Sequence, residues 1–243
     1  MIWRVLKVLA FMLSRLLGYL FLGVFARSRR EAYVRRIYVQ WARYSLEIFS
    51  VELEVMGREL VPPEGTVPRI FLVNHQSQLD IPAIVAALGQ TVGFVAKQEL
   101  SRIPILAYWM RKVGCVFIDR SNKREARASM EKAAEAMAER SFVVFPEGTR
   151  SKTGEILPIK LGGLRMAILA GAQVVPVRIR NTRAAFESRK PGMKEPMSVQ
   201  VQFFPHVDTR GMADEKTSWL KIKDYLEECW GVPSSNSAAS SAR

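Results

Sequence analysis

The first fifty positions are dense in apolar residues arranged with helical spacing. Residues 2–25 form an almost continuous run of Leu, Phe and Val, broken by Arg4, Lys7 and Arg15. At about 100° per residue, Arg4, Lys7, Ser14 and Arg15 fall within about 100° of one another. A single polar stripe on an apolar cylinder predicts a helix lying in the plane of a membrane interface. Residues 29–49 repeat the design, with Arg29, Arg36, Gln40, Arg43 and Glu47 on one face and Val34, Ile37, Tyr38, Trp41, Ser45 and Ile48 on the other. Two other readings fit the first helix: a bilayer span whose arginines snorkel, or a signal sequence ending near Val24-Phe25-Ala26. Arg15 interrupts the apolar region that a signal sequence needs.

From Val51 the pattern changes. Short apolar runs at 51–56, 69–73, 92–96, 115–118, 142–145, 174–179 and 197–204 predict strands. Amphipathic segments at 81–88, 103–111, 123–139, 162–170 and 214–230 predict helices between or after them. Alternation of this kind predicts an α/β fold, a mostly buried central sheet flanked by helices, preceded by the amphipathic two-helix segment. Pro62-Pro63-Glu64-Gly65 reads as a turn and 181–196 as a polar loop. The expected organisation is therefore an anchor at 1–50, a domain at 51–232, and a Ser/Ala-rich tail at 233–243 that lacks the apolar content to fold.

Charge narrows the partners. The chain carries a net charge of +13, and residues 1–50 hold nine basic residues against two acidic ones. Nucleic-acid-binding arms are basic without being apolar, whereas an anionic bilayer rewards both features in one segment. The expected partner is an anionic phospholipid membrane and not nucleic acid. Cys115 and Cys229 lack the spacing of a disulfide framework or a metal site. His75 and His206 are the two histidines, so imidazole chemistry has two candidates.

The chemistry-bearing residues sit where predicted strands end. Asn74-His75-Gln76-Ser77-Gln78-Leu79-Asp80 follows the run Ile70-Phe71-Leu72-Val73. This would carry His75 to the sheet rim, where α/β folds bind ligands. A neutral imidazole can take the proton of an attacking alcohol, and a carboxylate on its far nitrogen fixes the tautomer and stabilises the resulting cation. By spacing alone, the pair equally fits a buried histidine followed by a helix N-cap. A second block, Pro146-Glu147-Gly148-Thr149-Arg150-Ser151, follows Phe142-Val143-Val144-Phe145 and offers a flexible turn, two hydroxyls and a guanidinium suited to phosphate. A third, Gly114 to Arg120, ends in Asp119-Arg120; a fourth is Val174-Val175-Pro176-Val177. Lys97 and Lys160 also follow apolar stretches.

These four blocks, in their order along roughly residues 50–205 of the chain, resemble the lysophosphatidate acyltransferases, the 1-acyl-glycerol-3-phosphate O-acyltransferases. The resemblance implies His75 as general base with Asp80 as its partner. It implies that Glu147, Gly148, Thr149 and Arg150 hold a glycerol phosphate acceptor, with Arg120 in the same role, and that the Val-Pro-Val block lines the acyl-chain path. Lys97 would add to phosphate binding, although Lys97-Gln98-Glu99-Leu100 stands where Lys-Lys-Glu-Leu is more usual. The implied reaction takes acyl-ACP or acyl-CoA as donor and lysophosphatidate as acceptor at the cytoplasmic face of the cell membrane, without a metal or bound cofactor. Other acceptors (glycerol 3-phosphate, another lysophospholipid or a lyso-aminolipid) are alternatives, as is a non-catalytic module that binds anionic lipid.

Overall fold

The computed structural model describes residues 2–25, 29–65, 67–119, 123–137, 140–189 and 195–232. Arg120 and the 233–243 tail lie outside these described residues. Two long helices come first, α1 (Ile2–Phe25) and α2 (Arg30–Ile48). Then follow β1 (Val51–Met56), β2 (Arg69–Val73), α3 (Asp80–Leu88), β3 (Gly93–Lys97), α4 (Pro104–Lys112), β4 (Val116–Ile118), α5 (Lys123–Ala136) and β5 (Phe142–Val144). The chain continues through α6 (Leu161–Leu169), β6 (Gln173–Arg180), α7 (Thr182–Ala185), β7 (Met197–Phe203), β8 (Val207–Asp208) and α8 (Lys216–Trp230).

The strands form one mixed sheet ordered β1-β7-β6-β2-β5-β3-β4, with β8 beside β6. The pairs β4–β3, β3–β5, β5–β2 and β2–β6 are parallel, while β7 and β8 run antiparallel to β6. Continuous apolar runs suit this arrangement because a central parallel strand is covered on both faces. All five residues of β2 are buried. Phe71 and Val73 pack with Ala42 and Leu46 of α2 and with Ala83 and Ile84 of α3. Ile70 and Leu72 face the opposite layer, which contains Ala133 of α5, Leu164 of α6 and Trp230 of α8. This is the α/β architecture that the alternation of runs predicts. The segment 181–196 departs from the expectation of a plain polar loop: it begins with the short helix α7.

α1 and α2 pack on one another and on the layer containing α3. Gly18 permits the approach, since a Cβ there would collide with the hydroxyl of Tyr33. Phe11 of α1 stacks on Tyr44 of α2, with ring centroids 4.9 Å apart. The indole N–H of Trp109 on α4 donates to the carbonyl of Met12 at 3.2 Å. The outward side of α1 is apolar: Trp3 is 74%, Leu17 65% and Phe21 63% exposed. Arg4 of the polar stripe sits over the Phe49 ring at 6.0 Å, while Arg15 lies over Phe11 at 4.9 Å. Aromatic rings of the protein thus engage part of the stripe, leaving leucines to face outward. Ile2–Leu22, with a mean hydropathy of 1.9, is long and apolar enough to cross a membrane.

Candidate active site

The carboxyl ends of parallel strands β2, β5 and β3 converge on one rim. Asn74 fixes the end of β2 by donating its side-chain amide to the carbonyl of Ile179 (2.9 Å) and accepting the Ile179 N–H (2.7 Å). This lock sets where the next residue, His75, can go. Its ring stacks on Phe145, which follows β5, with centroids 3.9 Å apart and planes inclined by 17°.

His75 Nδ1 lies 2.7 Å from Oδ2 of Asp80. The same oxygen accepts the backbone N–H groups of Gln76 (2.6 Å) and Ser77 (2.8 Å). Oδ1 accepts the hydroxyl of Thr182 at 2.5 Å. Asp80 is the first residue of α3 and is fully buried, so its carboxylate finds its partners within the protein. Its side chain folds back towards the loop before the helix, which rules out the simple N-cap. Donation from Nδ1 to the carboxylate leaves Nε2 as the ring nitrogen able to accept a proton. The imidazole is 15% exposed, and it borders a cavity. Together these features leave a ring nitrogen able to accept a proton beside a cavity.

Glu147 differs from its expected role in acceptor contact. Its side chain is turned inward, and the residue is 2% exposed. Oε1 accepts the His75 N–H at 2.6 Å, and Oε2 accepts the Leu157 N–H at 2.7 Å. The Ser151 N–H returns a bond to the His75 carbonyl at 2.8 Å. Glu147 is therefore a clamp between the loops after β2 and β5. Burial pushes its carboxyl from 4.5 up to about 7, against the opposing pull of the two N–H donors. Because the unfolded chain ionises near the lower value, the stabilisation from this group is fully present below about pH 4.5 and lost as pH rises through about 7. Glu147→Gln cannot ionise. The parent's stability relative to this variant should fall by up to about 3 kcal/mol between about pH 5 and pH 8. Thermal melts at both pH values measure this, and a constant difference between the two proteins contradicts it.

Gly148 supplies the turn after the clamp. Its φ is +71°, and an added Cβ would approach Lys160 Nζ to 2.8 Å, so a side chain would meet both backbone strain and crowding. Thr149 and Arg150 then emerge to the surface. The Arg150 guanidinium lies 3.7 Å from the Glu187 carboxylate, which also accepts the Gln78 N–H at 3.0 Å.

The cavity beside His75 has a volume of about 520 Å³ and a largely apolar wall. His75, Lys97, Gly148, Thr149 and Arg150 are among the residues that line it. Its apolar part is built by residues including Val8 and Phe11 of α1, Trp41 of α2, Phe94 of β3 and Trp109 of α4. A second hollow of about 360 Å³ adjoins it, sharing Lys97 and Gly148 and adding Gln98, Glu99, Arg102, Ile118 and Asp119. Val175 and Val177 do not line the path expected for the Val-Pro-Val block. β6 is a central strand, so both are fully buried in the sheet core. The Cys115 thiol is pushed up by burial to about 12, which makes the nucleophilic thiolate scarce near neutrality. Sequence patterning missed Phe145 as the imidazole's stacking partner and Thr182 as Asp80's fourth donor. Phe145 was visible only as the last residue of an apolar run.

The acyltransferase family model matches residues 52–180 of the chain. The mouse protein 1-acyl-sn-glycerol-3-phosphate acyltransferase alpha is 28% identical over 197 residues, covering 79% of this chain and 67% of the relative. The 1-acyl-sn-glycerol-3-phosphate acyltransferase of Borreliella burgdorferi is 29% identical over 187 residues, covering 76% and 70% respectively. Among solved structures, the 1-acyl-sn-glycerophosphate (LPA) acyltransferase, PlsC, from Thermotoga maritima superposes with a TM-score of 0.66 at 25% identity, covering 96% of this chain and 98% of that one.

Proposed function

The chain belongs to the acyltransferase family, and on that premise we propose that it moves a fatty acyl group from acyl-ACP or acyl-CoA to the free sn-2 hydroxyl of lysophosphatidate. The observation that carries this reading is the His75–Asp80 pair at 2.7 Å, opening onto a largely apolar cavity that Arg150 and Lys97 also line. A lysophospholipid has matching parts: one anionic head, one hydroxyl and one long chain. The names of the two relatives and of the solved neighbour support lysophosphatidate as the acceptor.

In the proposed reaction the acceptor's phosphate docks on Arg150 and Lys97, and its hydroxyl approaches Nε2 of His75. His75 takes the hydroxyl proton as the oxygen bonds to the thioester carbonyl carbon, and Asp80 balances the charge arising on the ring. Collapse of the tetrahedral intermediate breaks the carbon–sulfur bond, and the proton held by His75 goes to the departing thiolate. The products are phosphatidate, for phospholipid synthesis, and a free thiol. Chain atoms of both substrates would lie along the cavity wall formed by α1, α2 and α4.

Residues 1–50 are proposed as the membrane anchor, and 51–232 as the acyltransferase domain. The outward leucines of α1 would bury roughly 1.5–3 kcal/mol each in the bilayer. The basic residues of this segment would favour the anionic cytoplasmic leaflet by about 1 kcal/mol apiece. An anchored pocket meets an amphiphilic acceptor where that acceptor is concentrated.

The test is a radiolabelled acyl-transfer assay with both donors, offering lysophosphatidate and a monoacylglycerol of the same chain length in mixed vesicles. Labelled phosphatidate is expected, together with a preference of about tenfold or more for the phosphate-bearing acceptor, as for loss of a charge-assisted contact. Equal use of the two acceptors would refute a phosphate-reading site. No transfer from either donor to lysophosphatidate would refute the activity.

A further inference from the structure

Thr182 lies beyond the motif blocks, at the start of the four-residue helix α7. The chain reaches it by a defined route. Asn74 holds both backbone groups of Ile179, and the Gln76 amide donates to the same Ile179 carbonyl at 3.1 Å. Asn181 then adopts φ +70°, with its own amide donating to the Ser198 carbonyl at 3.3 Å. That left-handed step turns the backbone out of β6 and delivers the Thr182 hydroxyl, fully buried, to Oδ1 of Asp80 at 2.5 Å.

We propose that Thr182 is a positioning residue for acyl transfer, whose hydroxyl holds Oδ1 of Asp80 and through that carboxylate fixes the imidazole of His75. The inference rests on the reading of His75 as the base. Oδ2 carries three donors on one side of Asp80: His75 Nδ1, Gln76 N–H and Ser77 N–H. Those three meet a single oxygen and do not by themselves fix the plane of the carboxylate. Oδ1 is buried, and Thr182 Oγ1 bonds it at the far end. With both ends held, the plane of the carboxylate is set and Oδ2 stays in line with Nδ1. Without the hydroxyl, a buried oxygen lacks that donor, and turning the group towards any other donor draws Oδ2 away from the ring.

Thr182→Val keeps the shape of the side chain and removes the donor; Thr182→Ser keeps the donor. Both are assayed beside His75→Ala in vesicles containing lysophosphatidate. Thr182→Val is expected to lower kcat by about ten- to a hundredfold with KM for either substrate changed less than about threefold, as for loss of a hydrogen bond to a charged group that acts on chemistry and not on binding. Thr182→Ser should retain kcat within about threefold of the parent. If Thr182→Val does not melt cooperatively, Thr182→Ala replaces it in the same comparison with Thr182→Ser. Parental kcat in the hydroxyl-free variant, equal losses in it and the Ser variant, or a loss confined to KM overturns the proposal. An active His75→Ala protein instead removes the base reading on which it stands. An inactive His75→Ala protein beside an unimpaired hydroxyl-free variant removes the positioning role alone.

Discussion

His75→Ala should abolish acyl transfer while the protein still folds and still binds vesicles. The expected fall in kcat is about 10²–10⁴-fold, the range that a positioned general base contributes. The structure explains why the fold should survive. The ring is stacked on Phe145 and borders the cavity, and its loop is held by backbone groups that alanine retains. The His75 N–H still reaches Glu147, and the His75 carbonyl still receives the Ser151 N–H. A thermal melt close to the parent's, with turnover lost, is the expected pair of results. Activity within tenfold of the parent would mean that the alcohol is activated elsewhere.

Asp80→Asn should come close to the same loss by a different route. Asparagine can point its oxygen at the Gln76 and Ser77 N–H groups and turn its NH₂ towards the Thr182 hydroxyl, which can accept as well as donate. The local geometry therefore has a neutral solution, and the fold should tolerate it. What disappears is the negative charge opposite the imidazolium, so kcat should fall towards the range of about 10²–10⁴-fold that general-base assistance contributes. The measurement is kcat at saturating substrates beside a melting curve. A variant that melts like the parent and turns over within tenfold of it would show that the carboxylate's charge is dispensable. A variant that unfolds would show that the loop before α3 depends on that charge for its structure.

The apolar run at 69–73 was legible as a strand because both faces of β2 are buried, and its end therefore marked the site of His75. The same logic located Glu147 after β5. It could not tell that the Glu147 side chain points inward, because a carboxylate after a buried strand looks the same whether it meets a ligand or two backbone N–H groups. Thr182 was invisible for another reason. α7 spans Thr182–Ala185, too short to show a period, and the Asp80 partnership joins segments far apart in sequence. Val175 and Val177 illustrate the reverse error: apolar strand residues signal burial, but not whether the neighbour is a cavity or another core side chain. In α1 the pattern gave the helix and its polar stripe. Which side packs against the protein depended on Phe49 and on the α2 ring Tyr44, which no local window contains.

α1 has two surfaces with different duties: leucines and Trp3 outward, and Val5, Val8, Phe11 and Met12 forming part of the chamber beside His75. Trimming the helix to obtain a water-soluble enzyme would therefore tear out a wall together with the proposed anchor. Solubility must instead be engineered on the outward residues alone, leaving the inner row to seal the compartment.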